Sequence, residues 1–255
     1  MLKIERQNLI EHELTVKGSI TISECAELLK VSEETIRRDF REMEKDNRLT
    51  RIHGGAYKSE ADDKNVPIHL REVMFLEEKE KIAQFAVEHF ISTNDSIMID
   101  SSTTCFQLAK RIVKSGLNVT IITNSLKIMQ LFDEQQTNAR LIAIGGKYRN
   151  KSCSFVGEYA ADALGAYVAD KCFVSTSSLD IQHGLIDSSS LECQMHKKIL
   201  ENSKFHYALL DHTKFSSRAD YIVAGMTDIN TIITDCKPDE KWNALMDEMQ
   251  IDIYY

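Results

Sequence analysis

The sequence predicts two domains, a small helical domain ending in a short two-stranded ribbon and a larger α/β domain with a mostly parallel sheet. Three observations predict this. A chain of 255 residues exceeds one minimal domain and suits one small plus one medium domain. Its first part shows apolar residues at helical spacing, then a glycine-interrupted extended stretch. Its second part alternates apolar, β-branched runs with helix-like segments, the pattern of strands buried on both faces by helices. The boundaries expected are 1–58, a polar linker over 59–76 that includes Pro67, and 77–255.

In the first domain, Ile4, Leu9, Ile10 and Leu14 recur at helical spacing and Gly18 ends the run. Ser23 is the expected N-cap of a short helix carrying Cys25, Ala26, Leu28 and Leu29, and Lys30-Val31 make a tight connection. Ser32 is the next expected N-cap, with Glu33 and Glu34 in the first turn where acids suit the helix dipole. Ile36, Phe40 and Met43 share one face. Asn47 then suits a left-handed helix end. The stretch Leu49-Thr50-Arg51-Ile52-His53-Gly54-Gly55-Ala56-Tyr57 reads as the ribbon. Two helices, a short turn and a basic ribbon make a winged helix-turn-helix. A plain helical bundle explains the apolar spacing equally well, but not the cluster of Thr35, Arg37, Arg38 and Arg41 on and beside the polar face.

In the second domain a helix is expected over about Glu72 to Ile91. Strands are expected at Ile97–Asp100, Val119–Thr123, Leu141–Ile144, Cys172–Ser175, Tyr207–Asp211 and Thr231–Asp235. Helices are expected at Phe106–Lys114, Leu126–Phe132, Ala160–Tyr167, Cys193–Asn202 and Glu240–Met249.

Composition limits function. Hydrophobic content of 43% and charged content of 27% are those of an ordinary globular protein. No apolar run reaches the roughly 18 residues of a membrane span, and the charged start of the chain does not read as a signal peptide. Six scattered cysteines without a C-x-x-C pair suit reduced thiols in a cytoplasmic protein, and no metal site is expected. The net charge of −8 argues against nucleic acid until the chain is divided. Residues 1–58 hold 11 basic and 11 acidic groups, so the whole negative excess lies beyond them. Arg48, Arg51 and Lys58 occupy 47–58 without an acid, which is compatible with local DNA contact.

Ligands of open α/β sheets bind beyond the carboxyl ends of strands, so the strand-to-helix junctions carry the chemistry. Asp100-Ser101-Ser102-Thr103-Thr104 places four hydroxyls at a helix start, suited to an anion, although a simple N-cap needs only one. Thr123-Asn124-Ser125 is a second polar junction. Gly145-Gly146-Lys147-Tyr148-Arg149 combines close backbone approach with cations, or is a glycine turn with surface charges. Asp180, Asp187 and Glu192 suit sugar hydroxyls, Lys197 suits a phosphate, and Asp211 and Lys214 end another strand. There is no nucleophile–base pair, phosphate loop or zinc-protease motif, so nothing calls for an enzyme.

The run Val31-Ser32-Glu33-Glu34-Thr35-Ile36-Arg37-Arg38-Asp39-Phe40, followed by Arg51-Ile52-His53-Gly54-Gly55-Ala56, resembles the DeoR family of bacterial regulators. The similarity extends through Glu80-Lys81-Ile82-Ala83, Asp100 to Thr104, Thr123 to Leu126, Gly145-Gly146, Phe155-Val156-Gly157, Asp170, Asp187 and Asp211-His212-Thr213-Lys214-Phe215. The resemblance implies a repressor released from operator DNA by a phosphorylated sugar or related metabolite, with a sensor fold similar to ribose-5-phosphate isomerase. Several positions depart from the family pattern. Ser102, Ser175 and Ser178 stand where glycine is frequent, and Asn47 replaces a glycine. His196 follows Glu192 at the spacing where the family carries lysine, with Lys197 beside it.

The sequence therefore assigns double-stranded DNA contact to Ser32, Glu34, Thr35, Arg37, Arg38, Arg41, Arg51, His53 and Gly54. It assigns effector contact to Asp100 through Thr104, Thr123, Asn124, Ser125, Gly146, Lys147, Arg149, Asp180, Glu192, Lys197 and Lys214. No cofactor is expected. A homodimer or homotetramer is, because helix-turn-helix proteins read paired half-sites. Two other readings stay open: an isomerase-like enzyme with an accessory domain, and a regulator whose sensor has lost its ligand.

Overall fold

The computed structural model describes residues 2–58, 66–216 and 219–255. The chain divides into two units, Met1–Met74 and Phe75–Tyr255.

The first unit opens with α1 (Lys3–Lys17), which Gly18 ends at φ 79°. Strand β1 (Ser19–Thr21) leads into α2 (Ile22–Leu29). The cap of α2 is Thr21 rather than Ser23: Thr21 Oγ1 accepts the Glu24 amide at 3.1 Å, and the Glu24 carboxylate accepts the Thr21 amide at 2.9 Å. That reciprocal box satisfies two backbone donors where Ser23 alone would satisfy one. Lys30 turns left-handed at φ 52°, and α3 (Glu33–Lys45) begins behind Ser32. Strands β2 (Thr50–Ile52) and β3 (Gly55–Tyr57) form the wing, with β1 paired to the other side of β3.

Ile36, Phe40 and Met43 are buried as their spacing predicts, packed with Ile10, Leu14, Ile20 and Leu29. Ile4 and Leu9 are not: they are 72% and 42% exposed. The inward face of α1 is instead built by Arg6, Gln7, Ile10 and Leu14. The expected linker is in part a helix. Residues 59–65 lie outside the described residues, whereas α4 (Ile68–Val73) buries Ile68 and Leu70. Leu70 meets Gly55, where an added Cβ would lie 2.6 Å from its Cδ2 and 2.6 Å from the Ile20 carbonyl oxygen. Gly55→Ala is expected to destabilise this unit by about 1–3 kcal/mol, through overpacking against immobile backbone. Faster hydrogen exchange of α3 amides would show it, and unchanged exchange would refute it.

The second unit starts with α5 (Leu76–Phe90) and builds one seven-stranded sheet. In chain order its next elements are β4 (Ser96–Ile99), α6 (Thr103–Ser115), β5 (Thr120–Thr123), α7 (Leu126–Glu134) and β6 (Arg140–Ala143). A hairpin of β7 (Lys147–Arg149) and β8 (Ser154–Val156) leads to α8 (Glu158–Gly165) and β9 (Ala169–Val174). Then come β10 (Ser178–Asp180), β11 (Gly184–Asp187), α9 (Ser190–Glu201), β12 (Ser203–Leu209), β13 (Tyr221–Ala224), β14 (Thr231–Ile233), α10 (Glu240–Met249) and β15 (Asp252–Tyr254). The large sheet has the order β15-β14-β12-β9-β4-β5-β6, and every pair in it is parallel.

Alternate residues of these strands serve opposite faces, as the pleat demands. Ile97, Ile99, Phe173, Leu209 and Ile233 pack under α5, α6 and α7. Met98, Cys172, Val174, Ala208 and Ile232 pack against α8, α9 and α10. A small antiparallel sheet, β10-β11-β13, adds to the second face and lies outside the alternating pattern. All six cysteines are free thiols.

The strand order reverses at β4. The chain proceeds outward through β5 and β6, then returns to place β9 on the other side of β4. Such a reversal opens a crevice at the carboxyl ends of the two strands, where open α/β sheets bind ligands.

Candidate functional site

The first site is the outer face of α3 with the wing. Ser32 caps the helix, its Oγ accepting the Thr35 amide at 3.3 Å and lying 2.9 Å from Thr35 Oγ1. Arg37, Arg38 and Arg41 are exposed. Glu34 serves two of them, at 2.8 Å from Arg41 Nη2 and 3.8 Å from Arg37 Nη1, and Glu33 meets Arg37 at 2.6 Å. Arg38 makes no ion pair with a described residue, so the intrahelical alternative falls to its neighbours. Surface pairs of this kind contribute at most about 1 kcal/mol each, so exchanging them for phosphate costs little. Arg51 is held by Glu44 at 2.8 Å. A groove of about 550 Å³ runs between helix and wing, with Arg37, Arg41, Arg51, His53 and Gly54 on its walls.

What the sequence did not reveal is how α3 is anchored. Asp39 points inward and is fully buried. Arg6 of α1 meets it with two nitrogens, Nε on Oδ2 and Nη2 on Oδ1 at 3.0 Å. Burial of Asp39 between Ile36 and Phe40 follows from helical spacing, but its partner lies 33 residues away.

The second site occupies the strand-order reversal. Asp100 is buried at the end of β4, where Oδ1 accepts the Ser102 amide at 2.8 Å and Oδ2 the Ser175 amide at 2.6 Å. His196 Nε2 lies 3.1 Å from Asp100 Oδ2, and its Nδ1 lies 3.4 Å from Asp187 Oδ2. Burial alone would lower the His196 pKa. The hydrogen bond to Asp100 and the charges of Asp100 and Asp187 outweigh that and hold it well above 6.5. Burial likewise pushes Asp100 up, and the His196 hydrogen bond and charge pull it below 3.8 on balance. The centre is thus an imidazolium between two carboxylates.

Glu192 sits one helical turn before His196 on the same face of α9. It accepts from Ser101 Oγ at 3.0 Å, Ser152 Oγ at 2.5 Å and Ser154 Oγ at 3.0 Å, and Arg149 Nη1 approaches to 3.6 Å. The junction after β5 joins through β8: Asn124 Nδ2 donates to the Phe155 carbonyl at 2.8 Å, and the Phe155 amide donates to the Asn124 carbonyl at 2.9 Å. Asn124 Oδ1 is buried and has no hydrogen-bond partner among the described residues. Thr123 Oγ1 accepts the Ser125 amide at 3.1 Å, and Ser125 caps α7. Ser102 caps α6, while Thr103 and Thr104 are buried in its first turn, with Ser175 Oγ 3.4 Å from Thr104 Oγ1.

The structure therefore brings Asp100, Ser101, Ser102, Arg149, Asp187 and Glu192 together and adds His196. Spacing placed an ionisable residue four after Glu192, but only the fold shows that this histidine faces inward. Lys197, next to it, is exposed, because adjacent helical residues point about 100° apart. Lys147 is also exposed, just past Gly146, where an added Cβ would lie 2.7 Å from that of Ala160. Asp180 accepts the amides of Gln182 and His183, at 2.9 and 2.8 Å, in the turn between β10 and β11. Lys214 lies on the 3-10 turn after β12, which Asp211 caps.

A winged helix with an arginine-bearing outer helix, on the same chain as an α/β domain with a buried polar cluster at its strand ends, defines a DNA-binding transcriptional regulator with a sensor. The chain belongs to the DeoR family: residues 6–61 match the DeoR-like helix-turn-helix domain and residues 74–236 the DeoR C terminal sensor domain. Among its relatives is the HTH-type transcriptional regulator IolR of Bacillus subtilis, 32% identical, with 99% of each chain covered. Another is the lactose phosphotransferase system repressor of Streptococcus mutans, 33% identical over 96% of this chain and 97% of that one. Among solved structures, ribose 5-phosphate isomerase A of Methanocaldococcus jannaschii overlaps 56% of this chain and 55% of its own, at 19% identity and a TM-score of 0.40. No described helix is long and apolar enough to cross a membrane.

Proposed function

We propose that this regulator represses carbohydrate-metabolism genes in the cytoplasm and leaves its operator when a phosphorylated sugar or related metabolite occupies the sensor, without turning it over. The observation that carries this reading is the cluster of buried polar side chains at the strand reversal, where open α/β sheets bind ligands, on the same chain as a DNA-reading helix. Among the described residues, three carboxylates, Asp100, Asp187 and Glu192, stand with His196 and Arg149, so the cluster is rich in hydrogen-bond acceptors. Asn124 Oδ1 adds a buried acceptor whose amide orientation is fixed by Phe155. Sugar hydroxyls supply donors to such groups, and the phosphate is left to the rim, where Lys147 is exposed. The repressor relative in Streptococcus mutans agrees with the sign of regulation.

Release then follows from linkage: the ligand must bind more tightly to an arrangement with lower operator affinity. A thermal-shift screen of phosphorylated sugars against their unphosphorylated parents tests the sensor, since a ligand stabilises by mass action. A hit confined to the phosphate, which also frees operator DNA, is the expected result. A hit that leaves operator affinity unchanged defeats the mechanism.

On the DNA side, α3 lies in the major groove of a paired half-site, read by a homo-oligomer. Arg38 needs to break no ion pair to reach a base, and Arg37, Arg41 and Arg51 exchange weak pairs for phosphates. Arg38→Ala is expected to lose about 1–3 kcal/mol of operator affinity, the contribution of a bidentate arginine–guanine contact. Unaltered affinity in a gel-shift titration would remove Arg38 from the interface.

A further inference from the structure

We infer that His212, Asp235 and Cys236 form a binding site for a divalent cation of the zinc class, distinct from the sensor crevice. A ring nitrogen of His212, a carboxylate oxygen of Asp235 and the sulfur of Cys236 all lie within 4.8 Å of one another. The residues come from the carboxyl ends of neighbouring strands: His212 opens the turn after β12, and Asp235-Cys236 follow β14. Parallel pairing fixes those ends, with Leu209 opposite Ile233 and the Leu210 amide donating to the Ile233 carbonyl at 3.0 Å.

The donors are also oriented in advance. The Asp235 side chain is only 7% exposed, and its Oδ1 accepts the His212 amide at 2.6 Å while its Oδ2 lies 2.8 Å from His212 Nδ1. Phe75 packs edge-on against the imidazole at a centroid distance of 5.2 Å. Cys236 is exposed and open to an ion from solvent.

Donor chemistry selects the metal. One nitrogen, one oxygen and one sulfur suit a borderline ion, whereas magnesium and calcium take oxygen alone. An ion held at about 2.0–2.3 Å from each donor replaces the His212–Asp235 hydrogen bond, those two donors parting slightly to admit it, while the Cys236 sulfur draws in by a side-chain rotation available to an exposed cysteine. Three protein ligands leave a fourth tetrahedral position to water. On binding, the Cys236 thiol gives its proton to solvent and the sulfur bonds the ion as thiolate, with no change of oxidation state. The bound ion cross-links two strand ends and steadies the turn that carries Lys214. Ligand-spacing rules miss the site because His212 and Asp235 are 23 residues apart, joined by the sheet and not by a local motif.

Cobalt(II) titrated into the reduced, chelator-stripped full chain tests this. Expected is a thiolate-to-cobalt charge-transfer absorption in the near ultraviolet, saturating at a single ion per chain and bleached by zinc. Cys236→Ser should abolish it, Cys153→Ser should leave it, and His212→Ala should weaken cobalt binding by about tenfold or more. No charge-transfer band in the parent, or a band that survives Cys236→Ser, overturns the site.

Discussion

Arg6→Ala is expected to unfold the N-terminal unit while the sensor stays folded. Asp39 is fully buried, and Arg6, itself 6% exposed, is the cation that meets it. Removing one member of a buried pair leaves an uncompensated charge and costs about 3–5 kcal/mol. A small domain has little more stability than that to lose. The double variant Arg6→Met with Asp39→Leu should regain much of the loss, because a well-packed apolar pair avoids the desolvation penalty. The two units can be watched separately. The only tryptophan, Trp242, is buried in α10 of the sensor. Its fluorescence transition in urea should not move in Arg6→Ala, while α3 amides exchange freely and operator binding disappears. Retained α3 protection would show that Asp39 needs no partner.

His196→Leu is expected to destabilise the sensor by a comparable amount, about 3–5 kcal/mol, because Asp100 and Asp187 then face each other without a cation. His196→Lys restores the charge and should recover part of it. The pH dependence carries a definite sign. The folded pKa of His196 is raised above 6.5, so its contribution is fully present below that value and is lost as pH climbs through the raised pKa. Asp100 is depressed below 3.8, so its contribution is present above that value and is lost as pH falls through the depressed pKa. Sensor stability from this pair is therefore greatest between the ordinary carboxylate and imidazole pKa values, about 3.9 and 6.5, and declines towards alkaline pH. In His196→Lys the alkaline decline should move to much higher pH, since an unperturbed lysine titrates near about 10.4. Urea melts across pH, followed by Trp242, would show the displacement. Parallel profiles in parent and variant would mean that His196 is neutral in the folded protein.

The two pairs show why part of the site was legible and part was not. Ser32, Ile36, Phe40 and Met43 were readable because capping and the helical period act within one turn and need no neighbour. Six of the seven strands of the large sheet were readable because burial on both faces leaves continuous apolar runs, whereas β15 at its edge was not. Edge and auxiliary pieces were not. β10, β11 and β13 lie outside the strand–helix alternation that marks the large sheet, and α4 hides in a polar stretch.

The sequence by itself determined the domain order, the helix-turn-helix with its wing, the parallel sheet and the polar residues crowded at strand ends. All of these are set by interactions within a few residues, so they survive reading the chain in one dimension. Only the tertiary structure decided that Arg6 and not Ile4 faces the core, that His196 and not Lys197 enters the crevice, and that His212 meets Asp235. Each joins groups 23 to 96 residues apart. Local chemistry makes a carboxylate costly to bury, but which cation compensates it depends on how helices and strands are packed, and that is a property of the whole fold.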